Sequence, residues 1–170
     1  YVEDLEVLNI AGNNMIAAHL NMLDIDYFEK LANYGIKTAH CPRSNIFLHG
    51  KTIDLKKIIN NSEILKTIAI GTDGKFGNYD LNILNEANII KTSTGMDVLK
   101  LLDMLTINGA KALKLDNKIG SLEINKNADF LVFKLPQSEN KNSYTEFLNK
   151  NQPDDVYING KLVVKNTEII

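Results

Sequence analysis

One pattern occurs three times in the first half of the chain: a short apolar stretch, a polar residue near its end, and a helical segment. The stretches, each with its polar residue, are 15–20 with His19, 36–42 with His40 and 67–74 with Asp73. A strand followed by a helix is the repeating unit of a parallel β-sheet covered by helices. The pattern therefore predicts an α/β fold.

Helical periodicity follows each apolar stretch. The predicted helical segments are 24–35, 52–65 and 79–93. In the first of them, Asp24 is expected to be the N-cap and Gly35 to follow the last turn. A helix pair is predicted over 97–115, with a break or a helix start at Asn108-Gly109. The first half of the chain thus carries enough helix to cover a parallel sheet.

The polar residues at the strand ends are the first candidates for function. In parallel α/β folds, functional groups lie at the carboxyl ends of the strands. Taken singly, each residue also has a structural explanation. Asp73 before Gly74 fits a helix N-cap or a turn, and His19 and His40 fit buried histidines satisfied by the backbone. Three successive strand ends with His, His and Asp together indicate a site.

Other kinds of site have less support. Cys41 follows His40, but neighbours along a strand point to opposite faces, so a Cys/His nucleophile is not expected. Ser44, His19 and Asp73 can be combined into a triad on paper, yet the chain has no Gly-x-Ser-x-Gly motif. Neither a P-loop nor a Gly-x-Gly-x-x-Gly motif occurs. Nucleotide cofactor binding is therefore not predicted.

The last third of the chain follows a different pattern. It consists of a β-rich stretch at 118–135, a polar surface loop at 138–155 with room for a short helix, and a β-hairpin at 156–170. Asn159-Gly160 is the strongest short hairpin signal in the sequence. We therefore predict two parts, an α/β part over 1–117 and a small β part over 118–170.

Composition excludes several classes of partner. The chain has 170 residues, 44% of them hydrophobic and 24% charged, which is typical of a globular domain. Its net charge of −2 gives no electrostatic reason to expect nucleic acid or an anionic membrane surface. No apolar run reaches about 18 residues, and a single cysteine, Cys41, fits a reducing compartment. We expect a cytoplasmic protein, cut from a longer chain because it opens on Tyr1.

Three motifs in a fixed order resemble those of a known family. They are AHCPRSN at 39–45, IGTDG at 70–74, and NGAKAL at 108–113 followed by IGSLEINKNADF at 119–130. Together they resemble the C-terminal half of the amidohydrolase superfamily, in its aminohydrolase branch. That branch includes cytosine, guanine, S-adenosylhomocysteine/methylthioadenosine and aminodeoxyfutalosine deaminases and the triazine chlorohydrolases. The resemblance covers nearly the whole chain.

The resemblance implies a (β/α)8 barrel with a small β domain. A complete barrel takes about 200 residues or more, so this chain would supply only its C-terminal part. His19 would lie on the sixth strand, His40 on the seventh and Asp73 on the eighth. Residues 1–117 would form the last βα units, and 118–170 the C-terminal segment of the β domain. The N-terminal half of the barrel is then an expected partner, and a homo-oligomer is compatible with this arrangement.

The resemblance also implies catalytic roles. Asp73 matches the strand-eight aspartate that ligates a divalent metal and shuttles the proton of the attacking water. His19 matches the strand-six histidine that contacts this water and the developing tetrahedral centre. Imidazole and carboxylate ligands suit zinc best, with iron(II) and manganese(II) as alternatives. The His-x-His motif, the strand-five histidine and the catalytic glutamate have no counterpart here, so the ligand set is incomplete in this chain.

Four further residues are implied as substrate-binding. His40, Ser44 and Asn45 match the HCPxSN segment that lines the pocket, and Asn78 matches the asparagine of GTDxxxSN. The serine of that second motif is replaced here by Gly77. The substrate would be a small heterocyclic amine.

The function implied is deamination of a purine-like or nucleoside-like compound, of the aminodeoxyfutalosine or S-adenosylhomocysteine/methylthioadenosine type. We predict that residues 1–170 alone bind no catalytic metal tightly and turn nothing over. Two alternatives stay open: another C–N or C–Cl hydrolase acting on heteroaromatic rings, and a non-catalytic truncated homologue that serves as a scaffold or interaction domain.

Overall fold

The computed structural model describes residues 2–135, 146–150 and 152–170. Its elements in chain order are α1 (Val2–Val7), β1 (Ile16–Ala18), α2 (Tyr27–Asn33), β2 (Lys37–His40), α3 (Pro42–His49), a 3-10 helix (Leu55–Lys57), α4 (Ser62–Leu65), β3 (Ile68–Ile70), α5 (Ile83–Thr94), α6 (Val98–Leu105), α7 (Ile107–Ala112), β4 (Phe130–Val132), β5 (Asp155–Ile158), β6 (Lys161–Lys165) and β7 (Glu168–Ile169). The chain is mixed α/β.

The first three strands form a parallel sheet in the order β1-β2-β3. Hydrogen bonds continue the ladder past the strand ends: the His19 N–H donates to the Ala39 carbonyl at 2.9 Å, and the Gly71 N–H donates to the His40 carbonyl at 2.9 Å. The carboxyl ends of the three strands therefore lie side by side. This adjacency brings the polar residues of the sequence pattern to one edge of the sheet.

The main core lies between this sheet and its helices. Its fully buried members include Phe28, Ile68, Ile90, Leu101 and Met104. All three residues of β3 are buried, whereas β1 is half-exposed. The sheet is thus well covered at β3, the strand that leads into the IGTDG motif.

Helix α3 was not among the helical segments predicted from the sequence, which place no helix between 35 and 52. The segment is helical, with Pro42 in the first turn and Gly50 in a left-handed C-cap (φ 68°). Ser44 and Asn45 are buried while the apolar side chains at 46–48 are exposed. The apolar periodicity that marks an ordinary surface helix is therefore reversed in α3, which is why the pattern did not predict it.

Three other local predictions need correction. The helix expected over 52–65 is divided into the 3-10 helix and the short α4. Asp24 is not an N-cap, because α2 begins at Tyr27 after Asp26. The break between α6 and α7 falls at Thr106 and not at Asn108-Gly109, which lie inside α7.

Gly35 follows the last turn of α2 with φ +74°, as predicted.

Strands β4 to β7 form a separate antiparallel sheet in sequential order. The predicted hairpin is confirmed: β5 and β6 pair across Asn159 and Gly160, which both have positive φ angles (50° and 73°). Only Phe130–Val132 of the β-rich stretch at 118–135 forms a strand. Of the loop predicted at 138–155, residues 138–145 and 151 lie outside the described residues.

The boundary between the two predicted parts, at 117/118, stays a prediction. Among the described residues, no helix combines the length and apolar character needed to cross a membrane.

Candidate functional site

The candidate site lies at the carboxyl edge of the parallel sheet. His40 is the last residue of β2, His19 follows β1 directly, and Asp73 lies three residues beyond β3. Both His19 (φ 67°) and Asp73 (φ 61°) adopt left-handed backbone conformations. Such conformations are uncommon for residues other than glycine and concentrate at functional sites, where the surrounding structure holds them in place.

Helix α3 supplies two buried polar side chains to this edge. Ser44 Oγ donates a hydrogen bond to Asp73 Oδ2 at 2.5 Å, and Asn45 Oδ1 lies 2.9 Å from His19 Nδ1. Both Ser44 and Asn45 are fully buried. Two consecutive residues of one helix therefore each hold one of the two residues predicted to be catalytic.

The contact with Asn45 defines the hydrogen-bonding state of His19. An amide oxygen can only accept, so the imidazole Nδ1 carries the proton and donates it to Asn45 Oδ1. The Asn45 amide nitrogen in turn points to Thr52 Oγ1, at 3.4 Å, which is consistent with this orientation. When the ring is neutral, Nε2 is left as an acceptor for water or substrate.

Asp73 is an ionised and accessible carboxylate. The Ser44 hydroxyl and then the Gly74 amide, which donates to Oδ1 at 2.7 Å, lower the pKa of Asp73 below its ordinary value. The side chain remains exposed to solvent. A carboxylate of this kind can accept a proton or bind a cation, because it keeps lone pairs beyond those used by Ser44 and Gly74.

His40 has a different environment from His19. It is 1% exposed, and within the described part of the chain its Nδ1 has no hydrogen-bond partner. Burial, and then the nearby His19, lowers the pKa of His40 to about 3. The ring is therefore neutral at physiological pH. Its predicted contact with substrate stays a prediction.

A buried carboxylate, Glu86 of α5, lies behind the Asp73 loop. Its Oε1 accepts from Asn78 Nδ2 at 2.6 Å, and its Oε2 accepts from the Arg43 backbone N–H at 2.9 Å. Asn78 Nδ2 also donates to the Thr72 carbonyl at 2.7 Å. Asn78 is buried, and its side-chain amide contacts the backbone of the loop. Its predicted role in substrate binding stays a prediction.

Sequence reasoning did not identify Glu86. The available signal was its position on the buried face of α5, beside Leu84 and Ala87. A charged residue at a core position is rarely left without a partner.

An ion pair between Arg43 of α3 and Asp80 holds the C-terminal end of the same loop. The Arg43 guanidinium donates to both carboxylate oxygens of Asp80, at 2.6 and 3.1 Å. It also lies over the Tyr79 ring, 5.8 Å from the ring centroid. The Arg43 hydrogen bonds, and then the Asn82 amide, lower the pKa of Asp80 to about 2. The pair is bidentate, a geometry that fixes orientation as well as distance.

Whether this edge of the sheet can bind a metal depends on how many ligand side chains it brings together. Within residues 2–135, 146–150 and 152–170, no group of three or more His, Cys, Asp or Glu side chains is arranged to bind a metal. Zinc sites in proteins use at least three protein ligands. Asp73 suits one ligand position by its charge and exposure, but the described residues do not complete a site.

Cys41 does not add a reactive group to this edge. Burial, followed by the charges of Asp73 and Glu86, raises the pKa of the thiol to about 11. The sulfur therefore stays protonated at neutral pH, in agreement with the sequence interpretation.

Sequence comparison identifies relatives over nearly the full chain. The family model described as "Amidohydrolase family" matches residues 1–163. A 5-methylthioadenosine/S-adenosylhomocysteine deaminase from Thermoanaerobacter pseudethanolicus is 30% identical to this chain over an alignment of 186 positions. The alignment covers 99% of this chain and 42% of the relative. The chain thus spans about two fifths of the length of the curated relatives that it matches.

Structural comparison gives the same correspondence. An adenosine deaminase from Xanthomonas campestris with bound zinc has a TM-score of 0.83 and 26% identity, covering 99% of this chain and 41% of that one. Atrazine chlorohydrolase from Arthrobacter aurescens TC1, complexed with zinc, has a TM-score of 0.82 at 18% identity, covering 99% and 40%. The predicted fold class, part of an amidohydrolase barrel plus part of a small β domain, is confirmed.

Proposed function

Because the chain belongs to the amidohydrolase family, we propose that it supplies the later barrel strands of a metal-dependent deaminase acting on a purine nucleoside or a related purine compound. The motif resemblance is confirmed at the level of the family. Two of the three named relatives support a purine substrate: one is a 5-methylthioadenosine/S-adenosylhomocysteine deaminase, and the other is an adenosine deaminase. Aminodeoxyfutalosine stays a further candidate substrate from the sequence.

One observation carries the proposal: α3 holds both Asp73 and His19 through adjacent residues. Ser44 contacts the carboxylate and Asn45 contacts the imidazole. The two hydrogen bonds orient a base and an acceptor nitrogen at the ends of β1 and β3, the two strands that flank β2, before any substrate binds. Preorganised groups of this kind favour catalysis because they need little rearrangement during the reaction.

The proposed reaction replaces an exocyclic amino group with oxygen. Water adds to the amine-bearing ring carbon, forming a C–O bond, and the C–N bond then breaks to release ammonia. Asp73 takes a proton from the water and passes it to the departing nitrogen, as a general base and then a general acid. His19 holds the water through Nε2 and supports the charge that develops at the carbon.

Asp73 is proposed as one metal ligand, with the remaining ligands outside the described residues. A divalent ion held there, zinc in the first instance and iron(II) or manganese(II) otherwise, would supply a water acidic enough to lose a proton near neutral pH. His40, Ser44, Asn45 and Asn78 are proposed to border the substrate. All four are buried in this chain, and Ser44 and Asn45 contact Asp73 and His19.

The test is ammonia release by the full-length zinc-loaded protein. The panel contains 5-methylthioadenosine, S-adenosylhomocysteine, adenosine, 5′-deoxyadenosine, aminodeoxyfutalosine and guanine. We expect release from at least one purine nucleoside. Metal-loaded protein that deaminates none of these compounds would exclude the proposed substrate class.

Asp73→Asn provides the residue-level test. Because the amide keeps the shape but cannot accept the water's proton, we expect kcat to fall by about 10³-fold, within the range for loss of a general base. Lys75→Ala, at an exposed position of the same loop, is the matched control and should change kcat less than about 2-fold. Equal activity in Asp73→Asn and wild type would remove Asp73 from the mechanism.

Several expectations remain predictions. They are the inactivity of residues 1–170 alone, a cytoplasmic location, homo-oligomerisation, and the absence of nucleic-acid and membrane partners. Metal binding distinguishes the enzyme from the non-catalytic scaffold. If the protein is only a scaffold, its full-length chain would bind no stoichiometric zinc.

A further inference from the structure

We propose that Glu86 is a positioning residue that fixes the Asp73 loop, residues 71–80, against the first turn of α3. The inference rests on the proposed function for the role of Asp73 and His19, and on the contacts of Glu86 for the rest. Glu86 touches none of the reacting groups. It acts through Asn78 and through the Arg43 backbone.

The first step concerns the loop. Asn78 Nδ2 donates to Glu86 Oε1 at 2.6 Å and to the Thr72 carbonyl at 2.7 Å. Thr72 and Asn78 flank Asp73 on its two sides, so one amide closes the loop that carries the carboxylate. Glu86 anchors that amide to α5, a helix of 12 residues packed into the core.

The second step concerns α3. Glu86 Oε2 accepts from the Arg43 N–H at 2.9 Å, at the beginning of the helix. The next two residues, Ser44 and Asn45, contact Asp73 and His19. A single side chain therefore joins the loop that bears Asp73 to the helix that orients both Asp73 and His19.

The third step concerns why a carboxylate stands here. Glu86 is 0% exposed, and each of its oxygens faces an N–H donor. Glutamine offers one acceptor oxygen and one NH₂ group, so one of the two donors would meet another donor. The Arg43 guanidinium, with Nη1 4.0 Å from Oε1, is a nearby positive charge that Glu86 shares with Asp80. A buried carboxylate is retained where partners of this kind satisfy it.

The experiment compares Glu86→Gln with Asn108→Ala in the full-length protein. Asn108 is also a buried polar residue, and its Nδ2 donates to the Leu65 and Ile68 carbonyls, both at 2.9 Å, near the start of β3 and away from the loop. We measure amide hydrogen exchange over residues 71–80, the Tm, and kcat and KM separately. A merely structural residue would lower the Tm without selective exchange in the loop.

For Glu86→Gln we expect exchange over 71–80 to become at least 10-fold faster and kcat to fall at least 10-fold, with KM changed less than 3-fold. For Asn108→Ala we expect a lower Tm, unchanged relative exchange in 71–80, and kcat within 2-fold of wild type. Unchanged loop exchange in Glu86→Gln, or equal loop exchange in both variants, overturns the inference.

If Glu86→Gln does not fold, Asn78→Ala replaces it as the test variant. It cuts the loop link and leaves the Arg43 link, so exchange should rise in 71–80 and stay at the wild-type rate at the start of α3. A wild-type protein without deaminase activity refutes the proposed function only, because the exchange result still decides whether Glu86 holds the loop.

Discussion

A buried polar side chain holds backbone groups at each end of the parallel sheet, but the chemistry of the two contacts differs. At the amino end, Asn108 donates to two backbone carbonyls. At the carboxyl end, Glu86 accepts from a side-chain amide and a backbone N–H, and a guanidinium lies close by. The amino end uses a neutral group and stabilises backbone alone. The carboxyl end uses a charge and connects side chains of the candidate site.

The backbone follows the same division. His19 and Asp73 have positive φ angles at the carboxyl end, whereas the segment that enters β3 at the amino end is α4, with a conventional Asn61 N-cap. Strained backbone and buried charge raise the free energy of the folded state unless neighbouring contacts offset them. The difference suggests that the carboxyl end is shaped for chemistry and the amino end for stability.

The largest expected effect is a pH dependence that comes from the carboxyl end. The pKa of His40 falls from an ordinary 6.5 to about 3 in the folded protein. Between these values the unfolded chain binds a proton that the folded protein does not, so the free energy of unfolding decreases as pH falls from 6.5 toward 3. The slope is about 1.4 kcal/mol per pH unit, measurable by urea unfolding across this range.

A His40→Gln variant should lose most of that slope. His49→Gln is the matched control: His49 is an exposed histidine of α3, and its replacement should leave the slope unchanged. Identical slopes in wild type and His40→Gln would show that acid sensitivity arises elsewhere and would weaken the contrast between the two ends.

A smaller effect is expected from one methyl group in the Asp73 loop. A Cβ at Gly77 would lie 2.7 Å from Ser44 Oγ and 2.9 Å from Asp73 Oδ2, whereas a Cβ at Gly74 would meet nothing within 4 Å. Gly77→Ala therefore pushes the serine and the carboxylate apart. We expect kcat/KM to fall about 100-fold, equivalent to about 2.7 kcal/mol.

Gly74→Ala should remain within about 3-fold of wild type, and both variants should unfold within about 1 kcal/mol of it. The atoms displaced by Gly77→Ala are side-chain ends, which move without disturbing the core. If Gly77→Ala lowered the free energy of unfolding and left kcat/KM unchanged, the whole loop would have moved to accommodate the methyl group.

Much of the fold was readable from local patterns. The three strands depend on short apolar stretches and the Asn159-Gly160 hairpin on turn chemistry within a few residues, and they were predicted. Helix α3 was missed because its buried residues are polar and its exposed ones apolar. The helix predicted over 52–65 was too long, because its apolar spacing does not show that the 3-10 helix ends at Lys57.

The candidate site was readable only in part. Strand-end position and motif resemblance predicted Asp73, His19, Ser44 and Asn45 as site residues, and the structure brings their side chains into contact in two pairs. The pairing of each helix residue with its partner was not predicted, because hydrogen bonds across 26 and 29 residues depend on how α3 packs. Glu86 was missed because its partners come from two other segments and share no periodicity with it.

The amino end of the sheet should respond in stability and not in activity. Asn108→Ala removes two buried hydrogen bonds and leaves the Leu65 and Ile68 carbonyls without this donor. We expect the free energy of unfolding to fall by about 2 kcal/mol, measured by urea denaturation, while kcat of the folded protein stays within 2-fold. A 10-fold loss of kcat would show that the two ends are coupled through β3.

The smallest expected effect lies outside the parallel sheet, at the hairpin of β5 and β6. Gly160 has φ +73°, and a Cβ there would come no closer than 3.8 Å to Ala128. The change Gly160→Ala therefore adds conformational strain without a steric clash, and we expect a loss of about 1 kcal/mol in stability. The proposed deaminase activity should be unchanged, since the hairpin belongs to the separate sheet. A loss of activity at this site would show that strain in the antiparallel sheet reaches the Asp73 loop.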